Sequence, residues 1–408
     1  MESFAWTVGI DQGPGEHFVV VMDSAGVLVG EHRFAHDGQG LLDLADWVGE
    51  RIGGAWEGTA IGSETPWGSV IDTLLGRGAS AFSINPKQLD RLRDRFSVAG
   101  SKDDRRDAFV VTHGLRNDPH LFRPVRRPDS VRLQLRELGR LRDQLHKDRV
   151  RVTNQLHALL SQVWPSLLKL SPGADERWLW SLLERAPRPE QARRLQPKTL
   201  EKLLREHRIR RFDVEHLQEV LREPSLELAA GREQVMAYQL ALWLPRVRLL
   251  DQQCRRVEAD LSRLLKAEKP CGGDELSDAT ILASHPGIGT LTAAALLGEA
   301  GDELQEYRHL RALAGVAPVS KISGRKRIVH RRYACNPRLA RTVHLWVDAA
   351  RKNYPDIQTR YARLRSRGHT HGRALRQLAD SLLRTVAATL RNRTLYDAMK
   401  RHQLPHAP

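Results

Sequence analysis

Three short apolar runs separated by glycine turns open the chain and constrain its fold more than anything after them. They are Trp6 to Asp11, His17 to Asp23 beyond Gly13-Pro14-Gly15, and Val27 to Phe34 beyond Ala25-Gly26. Runs rich in Val, Ile and Phe and bounded by turn residues read as strands, and such tight connections make them antiparallel neighbours. Strand and helix then alternate: a helix with Leu41, Leu42, Leu44, Trp47 and Val48 on its apolar side, a strand ending at Glu64, a helix around Val70 to Leu75, a strand at Ala81 to Ile84, and Asn85-Pro86 as a stop. The order predicts a mixed α/β domain over residues 1–125.

Four acids fall at special places in that domain. Asp11 and Glu64 close apolar, strand-like runs, and Asp104 and Asp107 stand at i,i+3 in Ser101-Lys102-Asp103-Asp104-Arg105-Arg106-Asp107-Ala108, the spacing that puts both on one helix face. Like charges held together repel, and a cation between them relieves the repulsion; hard carboxylate oxygens suit Mg²⁺, with Mn²⁺ as a substitute. Four such acids could hold two ions, the arrangement in-line phosphoryl displacement uses. The bland alternative is four solvated surface acids. Three hairpin strands followed by alternating strand and helix, with acids at these points, matches the order of a ribonuclease-H-like domain. An actin-like or sugar-kinase ATPase shares the opening hairpin but needs a second Gly-rich phosphate loop, which the sequence lacks.

A chain of 408 residues carries more than one core. Its 65 Lys+Arg outweigh 49 Asp+Glu, and a net charge of +16 favours a polyanion through phosphate neutralisation, nucleic acid first. Cys254, Cys271 and Cys335 are far apart and suggest neither a zinc site nor a disulfide framework. Without a signal-like start or a run of roughly twenty apolar residues, the chain reads as cytoplasmic, with no membrane partner.

From Ser130 the character turns helical and basic. Leu138, Leu145, Val152 and Leu159 fall seven apart, with Leu141, Leu156 and Val163 on neighbouring turns. Val247, Leu250, Cys254, Val257, Leu261 and Leu264 step by three and four. The pair reads as a coiled-coil arm spanning 126–270 whose seam could also pair chains, or as two helices of a globular core. Residues 166–225, with Trp178 and Trp180, form an inserted helical segment that either contacts nucleic acid or packs at the arm's tip.

The last region, 271–408, is mostly helical. Ile281 to Asp302 carries a helix, a His285-Pro286-Gly287-Ile288-Gly289 turn and an Ala-rich helix, a helix-hairpin-helix signature. Gly287, Gly289 and Thr290 would let backbone amides and a helix N-terminus approach a phosphate. A loop, Gly315 to Gly324, then leads into Arg325, Lys326, Arg327, Arg331 and Arg332, a basic run suited to nucleic acid. Ser323, before Gly324, and Ser320 are both candidates to approach a phosphodiester there, or simply turn serines. His369-Thr370-His371 could bind a metal but reads more simply as a solvated pair.

Jointly, Asp11, Glu64, Lys102-x-Asp104-x-x-Asp107-Ala108, the His-Pro-Gly-Ile-Gly hairpin, Gly315-Val-Ala-Pro with Ser323-Gly324, and Tyr396-Asp397 resemble the DEDD transposases of the Piv/MooV type, insertion-sequence family one-hundred-ten, the bridge-RNA-guided recombinases. The resemblance covers residues 5 to 160 and about 230 to 400. It implies an N-terminal RuvC-like domain binding Mg²⁺ through the four acids, a coiled coil, and a C-terminal transposase domain whose nucleophilic serine is, by position, Ser323. It further implies donor and target DNA and a non-coding bridge RNA as partners, a homo-oligomer (a dimer, and a tetramer on DNA) with sites shared between protomers, and a place at the bacterial nucleoid. Asp103 adds a fifth acid beside the motif. The expected activity is a transposase joining DNA through a 5′-phosphoserine; the alternatives are a hydrolytic junction-resolving nuclease and a non-catalytic nucleic-acid-binding protein.

Overall fold

The structure, a computed structural model, describes residues 4–65, 67–96, 103–125, 129–224, 226–268, 276–324 and 326–398. The chain divides into two compact units, Met1–Pro128 and Asp129–Pro408.

The first unit is built on one sheet. Its strands are β1 (Trp6–Gln12), β2 (Glu16–Asp23), β3 (Leu28–Ala35), β4 (Thr59–Ser63), β5 (Ser80–Ser83) and β6 (Arg123–Val125), in the order β3-β2-β1-β4-β5-β6. The three opening strands are antiparallel hairpin neighbours, β1, β4 and β5 are parallel, and β6 closes the far edge antiparallel. Its helices are α1 (Gly38–Arg51), α2 (Ser69–Gly76), α3 (Pro86–Asp94) and α4 (Asp104–Asn117). Val8, Ile10, Val19 and Val21 point to one face and pack under α1 and α2. Ala60, Val20 and Met22 belong to the other face, beneath α3 and α4. Asn85-Pro86 does not stop the chain. Asn85 caps α3, its side chain accepting from the Lys87 amide at 3.0 Å, with Pro86 at the first helical position; proline's fixed φ and missing N–H suit a helix start as well as a break.

In the second unit two long helices run side by side: α5 (Ser130–Val163), capped by the Asp129 side chain, and α11 (Arg232–Ala267). Arg142 to Glu258, Arg149 to Asp251 and Arg232 to Gln162 cross between them and fix the pair as antiparallel. The seam residues Val247, Cys254, Val257 and Leu261 are buried. They face α5 of the same chain, so they offer no surface for pairing chains. Leu141 points outward instead, while Leu135 and Leu160, off the seven-residue step, are fully buried; a strict seven-residue step drifts around a helix of 3.6 residues per turn.

Between these helices come α6 (Leu167–Leu170), α7 (Arg177–Arg185), α8 (Pro189–Arg193), α9 (Pro197–Glu206) and α10 (Val214–Arg222). They build a core of their own against the tip of the α5–α11 pair. Trp178 and Trp180 lie inside it, their indole N–H groups donating to Glu176 and to the Ala174 carbonyl. Each is a core residue, not a stacking platform for nucleic acid, and burial of a side chain that size contributes about 3 kcal/mol.

The chain then forms α12 (Asp278–Ala283), α13 (Thr290–Ala300), α14 (Tyr307–Leu313), β7 (Val319–Ser323), β8 (Lys326–His330), α15 (Pro337–Asn353), α16 (Pro355–Ser366) and α17 (His371–Arg391). The helices enclose a third core with the first half of α5. β7 and β8 make an antiparallel hairpin where the sequence suggests a loop. Among the described residues no helix is long and apolar enough to cross a membrane.

Candidate active site

Two glycines organise the acids of the first unit. A Cβ on Gly9 would lie 2.3 Å from the Ala108 carbonyl and 2.1 Å from Thr112 Oγ1, and one on Gly62 2.8 Å from Val111 Cγ1. Only glycine lets α4 lie this close across β1 and β4, which pair with Gly9 opposite Gly62. Alternate residues share a sheet face. Two steps further along the same face stand Asp11 on β1 and Glu64 just past β4. Arg116, at the other end of α4, bonds the Ser24 carbonyl near the start of β1, so the first turn of α4, with Asp104 and Asp107, lies toward Asp11 and Glu64.

The strand ends are tied together by Gln12, whose amide donates to Ser63 Oγ and to the Thr65 carbonyl, both at 2.9 Å. This holds the backbone on either side of Glu64. Asp104 is exposed and Asp107 is 2% exposed. Among the described residues, no three His, Cys, Asp or Glu side chains are close enough to hold a metal ion as the structure stands. A guanidinium meets one of the four instead: Arg93, at the end of α3, grips both oxygens of Asp107, Nε at 2.5 Å and Nη2 at 2.8 Å, and also meets Asp90. Burial works against its charge, but the hydrogen bond and charge of Asp107, then Asp90 and Glu64, hold Arg93 above the ordinary arginine value. The carboxylates thus already attract a cation. In donor chemistry they fit a hard divalent ion, which would need Arg93 to give way and the side chains to draw together.

Sequence reasoning missed Arg93 and Gln12. For Arg93 the signal was there, since Asn-Pro opening a helix would have placed it on α3. Gln12 carries none beyond its position next to Asp11. Lys102 lies outside the described residues. Asp103 is the residue before α4, and its side chain makes no capping bond.

In the second unit Ser323 is exposed near the tip of the hairpin, paired with Lys326, before Gly324 at φ +56°. Ser320 is also exposed, opposite Val329. Three residues apart on a strand, the two hydroxyls project to opposite faces. Arg325 lies outside the described residues, and only the backbone of Lys326 and Arg327 is described; Arg331 and Arg332 follow β8.

The turn between α12 and α13 packs against α15. The Trp346 indole donates to the Pro286 carbonyl at 2.8 Å, and the Gly287 amide donates to the Tyr354 hydroxyl at 3.0 Å. That occupies the amide expected to meet a phosphate. Gly289 faces open space, and no side chain caps α13, which begins at Thr290. His371, exposed at the first residue of α17, meets the Tyr361 hydroxyl at 2.9 Å, and His369 lies in the loop just before the helix.

A family model described as a transposase matches residues 8–165, and one described as "Transposase IS116/IS110/IS902 family" matches residues 279–362. Over 403 residues the chain is 30% identical to a protein of Streptomyces coelicolor named as a candidate mini-circle transposase for IS117, covering 96% of this chain and 95% of the relative. The chain belongs to the IS116/IS110/IS902 family of insertion-sequence transposases. A 43.6 kDa protein of insertion element IS110, also from Streptomyces coelicolor, is 30% identical over 73% of each chain. The candidate transposase y4uE of Sinorhizobium fredii is 42% identical over 201 residues, and the match spans 56% of that protein's length. The first family match contains all four acids; the second runs from α12 into α16 and contains Gly287, Ser323 and the basic run.

Proposed function

We propose that this transposase cuts and rejoins DNA through a serine-linked intermediate, with Asp11, Glu64, Asp104 and Asp107 holding Mg²⁺ in a RuvC-like domain. The observation that carries the reading is the placement of Asp11 and Glu64 at the end of two parallel strands toward which the first turn of α4 carries Asp104 and Asp107, with the Arg93 cation already drawn to Asp107. The strand order, with its hairpin trio followed by parallel strands, supports the ribonuclease-H-like assignment. Bound at these carboxylates, Mg²⁺ would lower the cost of ionising the attacking hydroxyl and of charge on the leaving oxygen.

Ser323 supplies the nucleophile. Its Oγ forms a bond to phosphorus as the P–O3′ bond breaks; the hydroxyl proton passes to solvent and the departing 3′-oxygen takes one up, leaving a 5′-phosphoserine and a 3′-hydroxyl. The phosphoester keeps the linkage energy, so the 3′-hydroxyl of an exchanged strand can attack it and restore the diester without ATP. The hairpin presents Ser323 clear of the core, and Gly324 permits the tight turn behind it. The +16 charge and the family resemblance support a bridge RNA that pairs with donor and target DNA, so that the protein reads little sequence itself.

Trapping the adduct tests this reading. With labelled DNA in Mg²⁺, the parent protein should give a covalent protein–DNA band on a denaturing gel; Ser323→Ala should lose it and Ser320→Ala should keep it. Cleavage with no adduct would mean hydrolysis by water, and the opposite pattern would move the chemistry to Ser320.

A further inference from the structure

At the base of the β7–β8 hairpin, where Pro318 enters β7 and His330 leaves β8, lies a cavity of about 300 Å³ closed by the start of α17. Gly315, at φ +69°, makes the turn into it. A Cβ there would meet Cys335 Sγ at 2.9 Å, so the left-handed turn is available only to glycine.

Five arginines and one acid line this cavity. The acid, Asp380, is already taken: Arg311 binds both its oxygens at 2.9 Å and the Tyr307 hydroxyl donates to it at 2.8 Å. Arg331, Arg332, Arg373 and Arg376 remain, and none of them makes an ion pair among the described residues. The Nε of Arg332 is buried with no hydrogen-bond partner. Burial, then the charges of Arg331 and Arg373, push Arg376 below the ordinary arginine value.

Four guanidiniums converging on one concavity whose single carboxylate is already bound by Arg311 are costly in the free protein. A tetrahedral anion with several acceptor oxygens removes the cost, because each planar fork can bind it in bidentate fashion. We propose that this cavity is a phosphate subsite that takes one backbone phosphate of the DNA strand on which Ser323 acts. The last clause rests on the nucleophile assignment above; the subsite itself does not. From the Val319–His330 pair to the Ser323–Lys326 pair is four residues, about 13 Å at about 3.3 Å per residue. At about 3.4 Å of rise per nucleotide, the bound phosphate lies about four nucleotides from the attacked one.

The test uses the full chain with both Arg373 and Arg376 changed to Gln, beside a control with the exposed Arg363 and Arg367 changed to Gln. Binding to a 30-base-pair DNA and to a 30-nucleotide RNA is followed by anisotropy between 50 and 200 mM salt. Losing one phosphate contact lowers the slope of log K against log salt by about 0.9, so the salt-induced fall in DNA affinity shrinks about 3.5-fold. We expect that loss on DNA, with the RNA slope and the control unchanged. Unchanged slopes on both DNA and RNA, or a control that loses as much, overturn the subsite; a loss on RNA, alone or with DNA, overturns its assignment to DNA. Removing mutually repelling charges should leave Tm equal or higher, and if the double variant does not fold, Arg376→Gln alone is read the same way. In the trapped adduct, single methylphosphonates placed along the strand should weaken binding at one position about four nucleotides from Ser323 in the parent and nowhere in the variant. Sensitivity elsewhere overturns the spacing. Absence of any adduct refutes the Ser323 assignment and leaves the salt slopes to decide the subsite.

Discussion

Replacing Arg93 with Ala strips the cation from the carboxylate end of β1, β4 and α4. The Asp107 side chain is 3% exposed and loses both of its guanidinium hydrogen bonds, while the Glu64 charge acts on the same position. Deleting one partner of a buried pair leaves an uncompensated charge and costs about 3–5 kcal/mol. The lost Asp90 contact adds less than about 1 kcal/mol, since that carboxylate is 66% exposed. For a unit of this size about 4 °C of Tm accompanies each kcal/mol, so the first unit should melt about 12–20 °C lower by calorimetry of the full chain without divalent ions. Two further measurements separate cause from accident. Asp107→Asn on the Arg93→Ala background should recover most of the loss, because an amide carries no charge to leave unpaired. Mg²⁺ should raise the Tm of Arg93→Ala more than that of the parent, by about 11 °C for the variant at a hundredfold excess over its Kd, where binding stabilises by about 2.7 kcal/mol, because the ion takes the place of the guanidinium. A variant that melts within 2 °C or so of the parent would refute the claim that Arg93 carries the Asp107 charge; an equal response of both proteins to Mg²⁺ would refute competition for one place.

Asp11→Asn or Asp104→Asn should abolish strand cleavage in Mg²⁺ while calorimetry shows Tm equal or higher, since each removes a charge from a repelling group; full cleavage by either variant would remove that acid from the site. Acid should loosen the helix pair of the second unit through Asp251, which is 3% exposed and bound by Arg149, Arg177 and Arg255. Burial alone would raise its pKa, but the hydrogen bond and charge of Arg177, with Arg149 and Arg255, hold it below the ordinary 3.8. A depressed carboxylate stabilises the fold above its unfolded pKa and loses that contribution as pH falls below about 4. Asp251→Asn should therefore cost about 3 kcal/mol at pH 7 and show a shallower loss of stability between pH 5 and pH 2 than the parent, measured by urea melts.

The first unit was legible because each of its elements announces itself locally. Hairpin strands of Val, Ile and Phe between glycine turns pair with their chain neighbours, and the strand ends that carry Asp11 and Glu64 follow from where each apolar run stops. Arg93 is hidden in the sequence because a proline reads as a breaker, whereas behind the Asn85 cap it starts a helix. Gly9 and Gly62 show a different limit: their role is the approach of α4, in contacts between residues about a hundred and about fifty positions apart along the chain, which no local pattern encodes. The long helices failed in a third way. Apolar steps of three and four report that a helix has a buried face but not what covers it, and the Val247–Leu264 seam is covered by α5 of its own chain. The arginine cavity is the extreme case. Arg331 and Arg332 stand out as a basic run, whereas Arg373 and Arg376 look like ordinary charges on the first turns of a helix. Only the hairpin's return against α17 turns four separate side chains into one concentration of unpaired charge, and such a concentration needs an anion to offset it. The charge count of the sequence gives the sign of the partner, while the fold decides where along the hairpin that partner must be held.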